Sequence, residues 1–288
     1  MIVMIFLIFC IILFLYIHIC FNIKTSNDLE IFNIEIPNKE KFEEICNLKQ
    51  PIQFYFNNKE LNKMCSLTNI KNNFSIFDVN IRNLKDKNDN KPLYSSLTLK
   101  KALKVLEKDE DKKYLIESND NFINETGLIR HFINNDLLLK PYLNFTSLYD
   151  IVIGNKNIIT SLKYDLFNRN FLYIVKGSTK IKLIPPKYTS YLHEIKDYEN
   201  NEFFSPINCW NLQKEYKNDF NKLKYLELTL NEGDMLFIPA YWWYSLNFNE
   251  YSLIARFKYT TYMSYLSTLP FNLLHYLQLQ NIKYNVLR

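Results

Sequence analysis

The side chains best suited to hold a metal or to act as a base near neutral pH are few in this chain and poorly spaced for either task. Four histidines (His18, His131, His193, His275) and five cysteines (Cys10, Cys20, Cys46, Cys65, Cys209) are scattered along 288 residues. No H-x-D, H-x-x-x-H or paired-cysteine spacing occurs. Cys10 and Cys20 lie in an apolar N-terminal run, and the remaining three thiols make neither a zinc pattern nor an even disulfide framework. Reduced, structural cysteines are expected.

Two stretches of the second half carry more information. The first is Ile159–Pro186 (ITSLKYDLFNRNFLYIVKGSTKIKLIPP) and the second Leu230–Leu246 (LNEGDMLFIPAYWWYSL), with Ser205–Asn211 (SPINCWN) between them. In this order they resemble the core motifs of the cupin-like, JmjC-related hydroxylases. Those motifs run T-x-x-H-Y-D, N-x-x-x-Q-x-x-G-x-K and a strand ending in P-P, then P-G-D-x-L-x-I-P-x-x-W-W-H-x-V. The opening Ile34–Pro51 is similar to the family's entry segment, so the resemblance spans about residues 32–260. Gly154, Gly177 and Gly233 fall on its turn positions, where glycine accepts positive φ at little cost.

The resemblance implies a 2-His-1-carboxylate facial triad on Fe(II), with 2-oxoglutarate as co-substrate. Its first two ligands stand at i and i+2, which strand alternation sends to one face. Here those positions read Lys163 and Asp165, and the third reads Tyr244, so only the carboxylate remains. No histidine stands close enough to substitute by a small shift. No metal is expected at Lys163, Asp165 and Tyr244, and no catalytic residue is assigned. A buried Asp165 needs a counter-charge. The ammonium of Lys163 is therefore expected to fill the place of the metal's charge and pair with Asp165, with Tyr244 donating a further hydrogen bond.

The co-substrate positions are altered too. Thr160 and Asn170 match the family, but the spacing from Asp165 to Asn170 is one residue longer. Thr179 stands where the carboxylate-binding lysine belongs. The neighbouring Lys180 would face the other side of a strand and reaches the interior only through a bulge or a slip. Thr160, Asn170 and Lys180 are the candidate contacts for any 2-oxoglutarate-like ligand. Trp242, Trp243, Tyr164, Phe167 and Phe171 read as packing.

The elements that must position these residues follow from pattern. Strands are expected at 32–36, 151–153, 157–164, 170–175, 179–184, 225–230, 235–238, 244–248 and 253–259, separated by turn signals. Helical spacing marks 39–48, 97–106 and 271–280, and 83–91 reads as a loop. The fold class is mostly β with flanking helices, a double-stranded β-helix (jelly-roll or cupin) barrel plus one N-terminal transmembrane helix. The barrel core is placed at about 149–260.

Met1–Ile23 contains no Asp, Glu, Lys or Arg. About 20 apolar residues cross a bilayer core of about 30 Å, and no basic start or small-residue cleavage site marks a removed signal. The organisation is an anchor (1–23), a tether (24–31), a cupin-like domain (32–260) and a C-terminal helical segment (261–288). Orientation stays open. Lys24, Lys39 and Lys41 hint at a cytoplasmic domain, whereas a span beginning at Met1 and the sequons at Asn73, Asn124 and Asn144 lean to the other side.

The net charge of +5 is interleaved and not clustered, which argues against a nucleic-acid surface. Three functions remain in view. One is a non-catalytic binding or scaffold module at a membrane, with a protein partner or a second copy of itself and no cofactor. The second is an active Fe(II)/2-oxoglutarate protein hydroxylase with an atypical metal site. The third is a structural membrane protein.

Overall fold

The computed structural model describes residues 1–35, 37–85 and 93–286. In chain order the elements are α1 (Ile2–Ile23), β1 (Phe32–Asn33), α2 (Lys39–Asn47), β2 (Ile52–Tyr55), α3 (Lys59–Met64) and α4 (Leu67–Asn73). There follow β3 (Asp78–Asn83), β4 (Leu93–Thr98), α5 (Leu99–Glu107), β5 (Tyr114–Ile116), α6 (Asp120–Glu125), α7 (Ile129–Asn134), β6 (Asn144–Gly154), β7 (Lys163–Tyr164), β8 (Arg169–Lys176) and β9 (Thr179–Ile184). The chain closes with β10 (Ile195–Asp197), β11 (Glu202–Phe204), α8 (Lys217–Phe220), β12 (Leu226–Leu230), β13 (Asp234–Pro239), β14 (Trp243–Phe248), β15 (Ser252–Thr261), α9 (Tyr262–Ser267) and α10 (Leu269–Val286).

The strands form two sheets, ordered β1-β2-β13-β8-β15-β6-β5-β3-β4 and β10-β11-β7-β14-β9-β12. Pairing is antiparallel except for β1 with β2. One buried cluster takes Phe171, Met235 and Ile254 from the larger sheet with Ile181, Leu183 and Leu246 from the smaller, so the two pack through a shared core. The mostly β architecture with helices is consistent with a cupin or jelly-roll fold. The closed barrel is corrected: among the described residues no ladder joins one sheet to the other.

Local chemistry explains the boundaries. Asn38 caps α2 by accepting from the Lys41 amide at 2.9 Å, and Phe42 and Cys46 supply its buried face. Leu97 lies in β4 opposite Val79, so the helix expected from residue 97 begins at Leu99. The strand expected over 157–164 reduces to Lys163–Tyr164 and a single bridge from Ile159 to Asn247. Asn157 has φ of +65°, which breaks extended backbone there. β6 runs far beyond residues 151–153 because β15 pairs along its whole length. Gly177, with φ of +87°, turns β8 into β9 where a Cβ would lie 2.7 Å from the Tyr251 carbonyl oxygen. Ile36 and residues 86–91, within the expected first strand and loop, lie outside the described residues.

The cysteines Cys46, Cys65 and Cys209 are buried and unpaired. Burial pushes the first two thiols up to about 12 and the third to about 11. Those thiols are inert packing groups.

Candidate functional site

The three positions that the motifs single out do converge. Lys163 on β7 is the register partner of Tyr244 on β14, and Asp165 follows immediately after β7. The Tyr244 hydroxyl donates to Asp165 Oδ2 at 2.7 Å, as expected.

The expected Lys163–Asp165 pair is corrected. Lys163 Nζ lies 2.8 Å from Glu117 Oε2, a carboxylate just beyond β5 with 3% of its side chain exposed. The place beside Asp165 belongs to Arg256 on β15, whose Nη2 sits 3.0 Å from Asp165 Oδ2 and donates to the Tyr244 oxygen at 2.7 Å. Lys258, two residues on and therefore on the same strand face, stands 3.5 Å from Asp165 Oδ1. Asn170 Nδ2 completes the shell at 3.0 Å from Asp165 Oδ2. Asp165 is thus enclosed by donors and keeps only 18% of its side-chain surface exposed.

Glu117 is bridged as closely. Arg82 on β3 donates to its Oε1 at 2.6 Å and pairs with Glu202 Oε2 at 3.2 Å. The Tyr94 hydroxyl accepts from Arg82 at 3.3 Å and donates to Glu202 Oε1 at 2.5 Å. Asp150 on β6, opposite Arg256, accepts the Asn119 amide at 2.7 Å and the Ser118 amide at 3.2 Å. Arg82, Lys163, Arg256 and Lys258 are thus gathered with Glu117, Asp150, Asp165 and Glu202 between the sheets, four formal charges of each sign.

Burial by itself would raise the carboxyls of Asp165 and Glu117. It is outweighed at Asp165 by Lys258, Arg256, Lys163 and the Tyr244 hydroxyl, which hold the group well below the usual carboxylate range. At Glu117, Lys163 and Arg82 do the same. Burial raises Asp150 despite Arg256 nearby. Lys258 is lowered by burial and then by Arg256, against the pull of Asp165 and Asp150. Burial lifts the Tyr244 phenol well above its ordinary range, so it stays a protonated donor.

The co-substrate candidates do not assemble into a ligand cradle. Thr160 Oγ1 already accepts the Leu246 amide at 2.8 Å, and its carbonyl accepts from Ser245 Oγ at 2.7 Å. Asn170 spends its amide donor on Asp165, leaving its Oδ1 and Arg256 Nε without a partner among the described residues. The bulge that would turn Lys180 inward is corrected. β9 runs in unbroken register with both β12 and β14, Thr179 is fully buried, and Lys180 is exposed. Trp242 and Trp243 are fully buried, and Tyr164 stacks on Phe203 with ring centroids 5.1 Å apart, as packing predicts.

The residues present do not fit a ferrous ion. The first ligand position holds an ammonium bound to Glu117, the third a neutral phenol, and a guanidinium already lies against the one carboxylate. Among the described residues no group of three His, Cys, Asp or Glu side chains converges elsewhere either.

The motif reading missed Glu117, Arg82, Arg256 and Lys258. One signal for the last two was available. In Leu253–Tyr259 (LIARFKY) two cations stand at i and i+2 inside an apolar strand, and buried cations on one face require carboxylates opposite.

Two packed sheets with flanking helices, and a site built on the ligand positions of a β7 strand and a β14 strand, define a cupin-type domain. The sequence profile of the cupin-like domain matches residues 39–261, and the chain belongs to that family, of the JmjC type. Its relatives include human HSPB1-associated protein 1, 31% identical over 93 residues, which are 32% of this chain and 19% of that protein. Lysine-specific demethylase JMJ31 of Arabidopsis thaliana is 26% identical over 150 residues, 51% of this chain and 27% of that protein. JmjC domain-containing protein D of Dictyostelium discoideum is 32% identical over 95 residues, 32% of this chain and 20% of that protein. The matches thus span about a fifth to a quarter of these relatives' length.

Proposed function

We propose that this chain is a catalytically inactive cupin-like domain, anchored in a membrane by α1, that works as a binding or scaffold module. In this reading the jelly-roll interior is a packed ion-pair core, with no metal and no 2-oxoglutarate. The observation that carries it is the Arg256 guanidinium, 3.0 Å from Asp165 and 2.7 Å from Tyr244. A second cation entering that place would meet a fixed positive charge and would have to displace it.

The anchor part is supported by α1, a helix of 22 residues with mean hydropathy 3.1 and none of its residues buried. At 1.5 Å per residue it rises about 33 Å, enough for a hydrocarbon core of about 30 Å. It is long and apolar enough to cross, and a signal sequence would pass the same test. Lys49 on the domain closes its end, donating to the carbonyls of Asn22 at 3.1 Å and Lys24 at 2.7 Å. The name of the relative HSPB1-associated protein 1 describes association with another protein, and a protein partner is the matching expectation here.

The test is iron and turnover on the full-length chain purified in detergent. After anaerobic loading with Fe(II), the expected result is no retained iron and no succinate formed from 2-oxoglutarate. Stoichiometric iron with succinate release overturns the inactive reading. Lys163→His with Tyr244→His should still fail to retain iron while Arg256 is present, and adding Arg256→Ala should allow binding.

A further inference from the structure

The α1 helix does not stand clear of the domain. It packs against α9, and its half-buried positions are Leu15, His18, Ile19 and Asn22, one stripe at helical spacing over its last two turns. Ile2–Phe14 are exposed throughout. Those 13 residues rise only about 20 Å, which falls short of a hydrocarbon core of about 30 Å. For α1 to span, the turns that lean on α9 must also lie at bilayer depth, and α9 is carried there with them.

The surface that this brings to the lipid is built for it. Residues 259–282 contain no Asp, Glu, Lys or Arg, and only the N-terminal 23 residues form another uncharged run of comparable length. Within it, α10 packs inward through Phe271, whose ring lies 5.5 Å from Phe203, and through His275 against the Tyr198 carbonyl oxygen at 2.6 Å. Its opposite face leaves Leu269, Leu273, Tyr276 and Leu277 between 48% and 58% exposed. On α9, Tyr262 and Tyr265 flank Phe145 with ring centroids 5.1 Å and 4.8 Å away, and all three rings are exposed. Exposed tyrosines beside an apolar stripe are the composition of a bilayer interface.

We infer that α9 and α10 form a membrane-embedded ledge: their uncharged outer face lies in the interfacial region of the bilayer that α1 crosses. This rests on the membrane-spanning reading of α1. The ledge fixes the domain against the lipid instead of leaving it on a free tether.

The test uses the full-length chain carrying Leu273→Trp, reconstituted in phosphatidylcholine vesicles brominated near the upper part of the acyl chains. The wild-type chain gives the baseline from Trp210, Trp242 and Trp243. The expected result is loss of the added indole emission to brominated lipid, with little loss to aqueous acrylamide. Should Leu273→Trp fold poorly, Leu277→Trp reads the same face. Alkaline carbonate extraction is run alongside. A chain retained in the vesicles whose indole is quenched by acrylamide and not by lipid overturns the ledge and leaves the span. An indole shielded from both, with cross-linking between copies, overturns it in favour of a dimer face. A chain released by carbonate overturns the span and the ledge together.

Discussion

The space between the sheets and the edge formed by α1, α9 and α10 are opposites in chemistry and in how they are satisfied. The first is charged, buried and closed on itself, with each carboxylate of the centre held by a cation or by amide donors. The second is uncharged as far as residue 282 and exposed, and nothing among the described residues covers its outer face. In the family resemblance the interior is where a ligand is needed. Here the interior has supplied its own counter-ions, and the uncovered surface lies on the outside. A buried ion pair is weak evidence for stability, because desolvation offsets its attraction. What it does secure is that neither partner can be removed alone.

That contrast is broken most sharply by Arg256→Met. It leaves Asp165 without its nearest cation and should lower unfolding free energy by about 3 kcal/mol or more, measured by urea titration of the detergent-solubilised chain. A change within experimental error would mean that the centre is solvated and open, and that the proposed occlusion is wrong.

Acid should act on the same centre. Asp165 and Glu117 have folded values depressed below their unfolded ones, so their contribution is complete above the unfolded carboxylate range and drains away as pH falls through it. Asp150 is raised and works in the opposite sense, but one raised carboxyl opposes two strongly depressed ones. Stability should therefore decline steadily below about pH 5. In Arg256→Met that acid slope should be shallower, since Asp165 is no longer depressed as far.

Tyr244→Phe removes a hydroxyl that donates to Asp165 and accepts from Arg256 while leaving both charges in place. A loss of about 2 kcal/mol is expected, as for a hydrogen bond to a charged group. At the other extreme, Lys180→Ala and Leu273→Glu change exposed positions and should shift the folding free energy by less than about 0.5 kcal/mol. Only Leu273→Glu should weaken retention on vesicles, which separates the outer edge from the core by readout as well as by size. A large destabilisation by Lys180→Ala would restore that lysine to the interior.

Much of this molecule is legible along the chain. Two ordered motifs, helical and alternating apolar spacing and an unbroken apolar start were enough to place a mostly β domain in the cupin-like family. They also bring Lys163, Asp165 and Tyr244 to one spot, because strand alternation is local geometry. The Tyr244–Asp165 hydrogen bond follows from that register. The partners of Lys163 and Asp165 do not. Glu117 lies dozens of residues before the first motif and Arg256 lies past the second, and only the stacking of β5 and β15 against β7 and β14 brings them within about 3 Å of Lys163 and Asp165. Strand alternation by itself turns Lys180 outward, and the tertiary structure leaves no exception, because β9 runs free of a bulge.

The same division holds for the outer edge. Composition by itself determines that 1–23 is apolar and that 259–282 carries no charge, since both are counts along one chain. That the two uncharged runs lie side by side is a property of packing, decided where α1 leans on α9 after more than two hundred intervening residues. Periodicity and composition are read from neighbours in sequence. Which charge neutralises which, and which apolar faces share one surface, are settled by contacts between residues far apart in the chain, and those exist only once the sheets have packed.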